Sequence, residues 1–226
     1  CSSSKVEPIR NAPFVKQLRD YQIEVINQYL TAVDYGNAPD TRGGIIQLGC
    51  GFGKTIMSIN ILAQLAKKTL IIVHKEFLLN QWIERIEEFC PNATIGRIQG
   101  PVFDIEGKDV VIGMLQTVYD REFPENAFDS FGLTIVDEVH RIGSCQFSRA
   151  LLRVQTPIML GITATLDRKD GLTKVIHQFM GPLLYHQAAS MPSNKSDYEH
   201  VLVRGMEFVS RDANFQEVSY DFRGNV

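Results

Sequence analysis

A glycine-rich segment between an apolar stretch and a helix-forming stretch limits the possible fold more than any other feature. The segment spans Gly49–Thr55, reads GCGFGKT, and directly follows the strand-like residues Gly44–Leu48. Glycine permits positive φ angles and a close approach of the backbone to a ligand. Backbone N–H groups at the start of a helix attract phosphate. The order strand, loop, helix therefore predicts a phosphate-binding unit within a mostly parallel sheet.

The rest of the chain continues this alternation. Strands are predicted over Gly44–Leu48, Thr69–Val73, Thr94–Ile98, Asp109–Met114, Leu133–Val136 and Pro157–Ile162. Helices are predicted over Leu18–Leu30, Lys54–Ala66, Glu76–Phe89 and Gly171–Met180, and a loop over Gly36–Gly44. Such alternation is typical of an α/β fold with helices on both faces of the sheet. Ligands of such sheets bind at the carboxyl ends of the strands.

Composition separates the chain into three parts. Residues 1–12 are polar and predict a flexible lead-in, and residues 13–188 form the main domain. Residues 189–226 are expected to be a linker and the start of an extension toward a second lobe, with a strand-like stretch at Val201–Val209. The chain has 226 residues and begins at Cys1 without a methionine. We expect it to be a fragment of a longer protein.

Bulk composition excludes several classes of protein. The net charge of −3 argues against a protein that coats nucleic acid by bulk charge, although a local basic groove remains compatible with it. Four cysteines without a C-x-x-C pair indicate free thiols in a reducing compartment. No apolar run approaches the ~18 residues of a membrane span, so no membrane partner is expected.

A second motif follows the predicted strand Leu133–Val136. Asp137 and Glu138 come at its end, and His140 lies two residues later. Adjacent carboxylates beside a phosphate loop suit Mg²⁺ binding by Asp137 and activation of water by Glu138. His140 either senses the terminal phosphate or makes a local structural contact.

The two motifs together predict a site for ATP and Mg²⁺. Lys54 would neutralise the β- and γ-phosphates, and the Thr55 hydroxyl would bind Mg²⁺ beside Asp137. The loop departs from the pattern G-x-x-x-x-G-K-[ST], since Leu48 stands in place of its first glycine. The alternative is a glycine-rich turn with a surface lysine. The residues assigned to ATP binding are Leu48, Gly49, Cys50, Gly51, Phe52, Gly53, Lys54 and Thr55.

These motifs resemble those of helicase superfamily 2 over most of Val15 to Tyr185. Leu18–Gln22 resembles the adenine-recognising segment, which implies that Arg19 and Gln22 bind ATP and that Gln22 reads adenine. Residues 163–165 (Thr163, Ala164 and Thr165) resemble the motif that couples hydrolysis to nucleic-acid binding. His140 is assigned to the same coupling role. The D-E-V-H box and the stretch Thr163–Leu172 are similar to the XPB-like helicases of transcription and repair. Related helicases occur in large DNA viruses.

The resemblance implies a RecA-like P-loop lobe of an ATP hydrolase of the helicase type. Such a motor binds nucleic acid, here expected to be DNA, and needs a second RecA-like lobe from the same chain. No arginine-rich segment of that second lobe precedes Val226, so the fragment alone is expected to be weakly active or inactive. The location expected is intracellular: the nucleus, or a cytoplasmic virus factory or virion for a viral member.

The same resemblance implies a set of nucleic-acid contacts. They come from loops on the side opposite the nucleotide, where each position is otherwise a solvated loop residue. The residues concerned are His74, Lys75, Gln116, Thr117 and Arg168, together with Gly100–Pro101. Trp82 is expected to pack in the core of an amphipathic helix rather than to stack on a base.

Three other functions remain open from the sequence. The first is a duplex-DNA translocase that never separates strands. The second is a nucleotide-gated scaffold without turnover, which the intact Lys54, Asp137 and Glu138 argue against. The third is a P-loop ATPase without nucleic acid, which the segments at Gln22 and Thr163–Thr165 argue against.

Overall fold

A computed structural model describes residues 6–9, 12–33, 43–139, 144–154, 156–166 and 172–187. These residues belong to a compact unit that spans Cys1–Ser190. Their strands form one sheet of eight, in the order β4-β3-β5-β2-β6-β7-β1-β8. Every neighbouring pair is parallel except β3 and β4. The sheet is therefore mostly parallel, as the alternation predicted.

The elements alternate along most of the chain. The strands are β1 (Gly43–Leu48), β2 (Thr69–Val73), β3 (Ile95–Gln99), β4 (Val102–Phe103), β5 (Val110–Met114), β6 (Leu133–Asp137), β7 (Ile158–Thr163) and β8 (Leu183–Gln187). The helices are α1 (Asp20–Val33), α2 (Lys54–Leu65), α3 (Glu76–Phe89), α4 (Leu115–Asp120), α5 (Ser144–Arg153) and α6 (Leu172–Met180).

Strand β2 shows why the sheet lies inside the molecule. All five of its residues are buried, because helices cover both faces of the parallel sheet. Ile71 and Val73 pack into the cluster that contains the buried residues of α1, α2 and α3. Leu70 and Ile72 pack into the cluster that contains residues of α4, α5 and α6. Successive side chains of a strand point to opposite faces, so this one apolar stretch contributes to both cores.

Helix α3 buries one face at helical spacing. Its buried residues are Leu79, Trp82, Ile86 and Phe89, three or four positions apart. Residues at this spacing lie on one side of an α-helix. Trp82 is only 1% exposed, which confirms that it packs in the core.

The predicted boundaries of β2 and α3 match the structure, whereas several other elements differ. Helix α1 begins and ends later than predicted, and β1 begins one residue earlier, at Gly43, which was assigned to the predicted loop. The sequence interpretation missed β4, α4, α5 and β8. Helix α4 has six residues, too few for a helical pattern to repeat, and β8 is an edge strand without buried residues. The predicted strand Val201–Val209 lies outside the described residues.

Part of the predicted flexible lead-in is attached to the domain. The N–H groups of Glu7 and Ile9 donate to backbone carbonyls of the domain at 2.9 and 3.0 Å. The Glu7 carboxylate also pairs with Lys68 Nζ at 2.9 Å, and the Lys68 side chain is 2% exposed. A buried ammonium needs such a partner. The prediction of a loose segment is therefore wrong for residues 6–9.

The domain boundaries at residues 13 and 188 stay predictions. The linker and extension predicted over residues 189–226 lie outside the described residues. Among the helices that the structure describes, none is long and apolar enough to span a membrane.

Substitution of Gly43 tests the close packing at the start of β1. A Cβ at Gly43 would collide with the backbone oxygen of Met159 and lie 2.8 Å from that of Met180. Overpacking typically costs about 1–3 kcal/mol, and a carbonyl oxygen held in a sheet cannot move aside. We expect Gly43→Ala to lower the thermal midpoint by about 2–12 °C in calorimetry, since about 1 kcal/mol corresponds to about 2–4 °C in a chain of this size.

Gly113→Ala is the matched control, because Gly113 is also a buried strand glycine. Its Cβ would meet side-chain atoms at 3.4 Å or more, which is ordinary contact. Equal midpoints for the two variants would contradict the packing described for β1.

Candidate functional site

Three functional segments meet at the carboxyl ends of β6, β7 and β1. These strands are neighbours, and their register places Gln47 beside Thr163 and Asp137 beside Ile162. The glycine-rich loop follows β1, the acidic pair lies at the end of β6, and residues 163–165 lie at the end of β7. The structure thus brings together three of the segments that the sequence singled out.

The glycine-rich loop uses backbone conformations that favour glycine. Gly51 and Gly53 have φ angles of 84° and 76°, in the left-handed region. Gly53 also caps the N-terminus of α2. A Cβ at Gly53 would lie 2.5 Å from Gln22 Nε2. The loop is therefore shaped by its glycines and packed against the predicted adenine segment.

Lys54 connects the loop to the acidic pair. Its Nζ donates to the carbonyl oxygens of Leu48 and Gly49 at 3.1 and 3.3 Å. The same nitrogen lies 3.9 Å from Glu138 Oε1, and the side chain is 11% exposed. A partly desolvated ammonium interacts more strongly with anions than an exposed one. Lys54 is thus placed to exchange its carbonyl partners for phosphate oxygens.

Asp137 is a buried carboxylate with specific partners. The residue is 7% exposed, and its Oδ2 accepts a hydrogen bond from Trp82 Nε1 at 2.9 Å. Burial raises the pKa of Asp137, as does the negative charge of Glu138, whereas the Trp82 hydrogen bond, the charge of Lys54 and the Glu138 backbone lower it. The net pKa shift is upward, so desolvation dominates.

Glu138 leaves the strand in an unusual backbone conformation. Its φ angle is 51°, in the left-handed region where residues with a Cβ are uncommon. Such conformations cost about 1–3 kcal/mol and cluster at functional sites. The turn brings the Glu138 carboxylate to the Lys54 ammonium.

A cavity of about 420 Å³ lies over these groups. Cys50, Gly51, Gly53, Lys54 and Thr55 of the loop line it, as do Asp137 and Glu138. Gln81 and Arg85 of α3 also line the cavity. The sequence interpretation missed these two because they belong to the polar side of an amphipathic helix, where a site residue has the same pattern as a solvated one.

Oxygen donors that suit Mg²⁺ occur in the cavity. The carboxylate of Asp137 and the hydroxyl of Thr55 both belong to its lining. Mg²⁺ usually keeps several waters and binds one or two carboxylates together with substrate phosphates. In the part of the chain that the structure describes, no group of three or more acidic, His or Cys side chains could hold a metal. The residues present therefore fit a Mg²⁺ ion that arrives with a phosphate ligand.

The predicted adenine segment touches the loop from α1. Gln22 is 6% exposed, and its Oε1 accepts a hydrogen bond from the Arg19 N–H at 3.0 Å. The Tyr21 hydroxyl donates to the Phe52 carbonyl at 3.0 Å, and the two rings meet edge to face. Tyr21 lies within the predicted adenine segment, and these contacts fix the start of α1 to the phosphate loop. Arg19 is exposed.

The predicted coupling residues are only partly described. Thr163 is fully buried, and its hydroxyl donates to the Thr165 carbonyl at 2.6 Å. Ala164 is half-buried and Thr165 is exposed. His140 and the predicted nucleic-acid residue Arg168 lie outside the described residues.

The remaining predicted nucleic-acid residues also lie at carboxyl ends of strands. His74 and Lys75 connect β2 to α3, and Gln116 and Thr117 belong to α4, which follows β5. Since β3, β5 and β2 are neighbours in the sheet, their loops share one edge. This edge is the one that carries the phosphate loop. These residues were expected on the side opposite the nucleotide. That expectation is wrong with respect to the sheet, because the nucleic-acid loops and the phosphate loop all follow the carboxyl ends of strands.

Hydrogen bonds join these loops. The Gly100 N–H donates to Thr117 Oγ1 at 3.0 Å. Arg121 Nη1 donates to the carbonyls of Gly100 and Pro101 at 3.2 and 3.1 Å. Arg121 was missed because it lies at the end of α4, which the sequence did not reveal. Its contacts hold the turn after β3 against α4.

Comparison with known proteins finds a matching family profile and several proteins of similar sequence. A profile of the ResIII family, described as "Type III restriction enzyme, res subunit", matches residues 15–168. The chain is 33% identical over 178 residues to "Putative ATP-dependent RNA helicase L396" of Acanthamoeba polyphaga mimivirus, covering 79% of this chain and 33% of that protein. The chain is 31% identical over 188 residues to "DNA 3'-5' translocase XPB2" of Sulfurisphaera tokodaii, and the match covers 81% of this chain and 39% of that protein. The chain thus spans a third to two fifths of the length of these relatives.

Solved structures share the fold. The UvsW helicase of bacteriophage T4 superposes with a TM-score of 0.62 at 20% identity, covering 80% of this chain and 64% of that one. The SWI2/SNF2 ATPase core of Sulfolobus solfataricus, solved with double-stranded DNA, gives a TM-score of 0.61 at 16% identity, covering 77% and 38%. These likenesses confirm the predicted RecA-like α/β fold.

Chemical modification of Cys50 tests the cavity directly. Cys50 is exposed in the loop and lines the cavity, whereas burial raises the pKa of Cys90 to about 11. We expect iodoacetamide at pH 8 to modify Cys50 and to spare Cys90, since the thiolate is the reactive form. ADP with Mg²⁺ at ten times its Kd should slow modification of Cys50 about tenfold. Peptide mass spectrometry reads each cysteine separately, and equal rates with and without nucleotide would contradict the site.

Replacement of Asp137 tests the cost of its burial. A raised pKa in the folded chain means that the ionised carboxylate is less favourable there than in the unfolded chain. This destabilisation is fully present above the folded pKa and disappears as the pH falls through it. We expect Asp137→Asn to raise the thermal midpoint at pH 7, because the neutral amide does not carry the cost of a buried charge. This gain in thermal midpoint should shrink at acidic pH. A midpoint at pH 7 below that of the unmodified chain would contradict the raised pKa of Asp137.

Proposed function

The chain belongs to the ResIII family of superfamily 2 helicases, and on this premise we propose that it is the ATP-binding lobe of a nucleic-acid-dependent ATPase. One observation carries the proposal. Lys54 and Thr55 from the loop after β1 line the same cavity of about 420 Å³ as Asp137 and Glu138 at the carboxyl end of β6. These groups are the ones that phosphoryl transfer from ATP to water needs.

The side chains divide the work of hydrolysis. Lys54 leaves its loop carbonyls to bind the phosphates that accumulate charge in the transition state. Glu138 orients and polarises the attacking water, and its carboxylate 3.9 Å from the Lys54 ammonium supports this role. Gln22 reads adenine from a location packed against Gly53, and Arg19 lies beside it.

Thr55 and Asp137 are the residues that would hold Mg²⁺. When bound, the ion supplies positive charge that stabilises the transferring phosphoryl group. Asp137 suits this role because its buried carboxylate is kept in place by the hydrogen bond from Trp82.

Nucleic acid is the proposed track, bound by the loops after β2, β3 and β5. His74, Lys75, Gln116 and Thr117 offer ring nitrogen, ammonium, amide and hydroxyl groups that suit phosphate contacts. Such contacts are independent of sequence and weaken with salt. Thr163, Ala164 and Thr165 lie at the end of β7, which is flanked in the sheet by β6 and β1. They are proposed to transmit hydrolysis to the track, together with His140 and Arg168.

DNA is the track that we propose, with a role in transcription or repair. The relative named as a DNA translocase supports DNA, whereas the viral relative is named as an RNA helicase. Because the chain spans a third to two fifths of these relatives, a second RecA-like lobe from the same protein is proposed to complete the ATP site. The protein would act in the nucleus or, for a viral member, in a cytoplasmic virus factory or the virion.

The test is steady-state ATP hydrolysis by the longest form of the protein that contains this chain. Assays without polymer and with single-stranded DNA, duplex DNA or RNA identify the track. We expect one polymer to stimulate hydrolysis at least about tenfold, and Lys54→Ala to reduce turnover by about 10²- to 10³-fold. Circular dichroism should show an unchanged fold in the variant.

Lys75→Ala is the matched control among the lysines. Lys75 is exposed at the start of α3 and does not line the cavity. Its loss should weaken polymer binding while leaving polymer-free hydrolysis unchanged. Tight ATP binding without stimulation by any polymer would favour the nucleotide-gated scaffold, and normal turnover in Lys54→Ala would overturn the site itself.

A further inference from the structure

The single tryptophan of the chain contacts the acidic pair. Trp82 is 1% exposed, and its Nε1–H donates to Asp137 Oδ2 at 2.9 Å. The two residues come from different elements, α3 and β6. A hydrogen bond from a buried donor to a carboxylate is stronger than one between neutral groups.

Core packing alone does not account for this contact. A leucine or phenylalanine could fill an apolar core position without a polar atom that needs a partner. The indole N–H can only donate, and its acceptor here is a carboxylate whose burial is unfavourable. The Asp137 backbone also belongs to β6, the strand that pairs with β2 and β7. With the backbone fixed by the sheet, the Trp82 bond limits the remaining freedom of the carboxylate.

We propose that Trp82 is a positioning residue for the metal-binding carboxylate of Asp137. By occupying Oδ2, the indole fixes the rotamer of Asp137 and leaves the other oxygen for the Mg²⁺ that accompanies the nucleotide. The proposal rests on the ATP site described under Proposed function. Partners that orient a metal ligand typically change metal affinity or activity 10- to 100-fold when they are replaced.

The first experiment uses the unmodified chain. With one tryptophan, a ¹⁵N-labelled sample gives one indole N–H resonance, which reports on the hydrogen bond to Asp137. We expect this resonance to shift when Mg²⁺ is added to the ADP-bound chain, because the carboxylate then shares its charge with the ion. Binding of ADP and Mg²⁺, measured by equilibrium dialysis, without a change in this resonance would overturn the proposal.

The second experiment removes the donor and keeps an aromatic ring. Trp82→Phe should raise the Mg²⁺ concentration needed for half-maximal ADP binding about tenfold. ADP binding in EDTA should stay within about twofold of the unmodified chain, because Asp137 then has no metal to hold. A purely structural role for Trp82 would not separate these two measurements.

Tyr29→Phe is the matched control for lost stability. The Tyr29 hydroxyl is buried in the core cluster that also contains Trp82, and it donates to the Met159 carbonyl at 2.8 Å. This variant also loses one buried hydrogen bond of an aromatic residue, but its partner is not at the site. We expect its Mg²⁺ dependence to equal that of the unmodified chain.

The outcomes separate this proposal from the ATP site itself. A folded Trp82→Phe with unchanged Mg²⁺ dependence would show that Trp82 only packs in the core. If Trp82→Phe does not fold, the indole resonance of the unmodified chain decides. An unmodified chain whose ADP binding is independent of Mg²⁺ would overturn the proposed site, and the role of Trp82 with it.

Discussion

The parallel pairing of β6, β7 and β1 is the constraint on which the site depends. Hydrogen bonds in these three neighbours set the register that brings Gln47 to Thr163 and Asp137 to Ile162. The segments that follow the strands then start from fixed points at one edge of the sheet. Because the strands are buried on both faces, their positions are held by packing as well as by backbone hydrogen bonds. Loops that carry chemistry can therefore be irregular without losing their mutual placement.

The electrostatics of the site work against the stability of the fold. Burial and the neighbouring Glu138 both raise the pKa of Asp137, so its charge is unfavourable in the folded chain. Lys54 and the Trp82 hydrogen bond offset part of that cost. The left-handed φ of Glu138 adds backbone strain. Functional sites commonly combine such unfavourable features, because the groups that bind a ligand cannot all be satisfied without it.

The sequence was informative where a pattern repeats or a motif has fixed spacing. The ends of β2 and α3 were predicted correctly because a buried stretch rich in β-branched residues and a helical apolar stripe each favour one interpretation. The phosphate loop and the acidic pair were found from residue types and their place after strands. The fold class followed from the same alternation.

Contacts between distant parts of the chain could not be predicted. The bond of Trp82 to Asp137 joins residues 55 positions apart, and nothing in an amphipathic pattern marks one buried aromatic as a hydrogen-bond donor to a site. Tyr21 and Arg121 were missed for the same reason, since their partners are backbone carbonyls in other segments. Glu138 carries no sequence signal for a positive φ, because glycine, asparagine or aspartate would be the residues expected there.

The hydrogen bonds of Lys54 within its own loop have a thermodynamic consequence for nucleotide binding. With its ammonium bonded to the carbonyls of Leu48 and Gly49, Lys54 cross-links the loop. The conformational entropy of ordering these residues is then lost when the chain folds, not when the nucleotide arrives. Binding becomes an exchange of one set of oxygen acceptors for another around the same nitrogen. Free energy from phosphate contacts therefore appears as affinity, because little of it is consumed in organising the backbone.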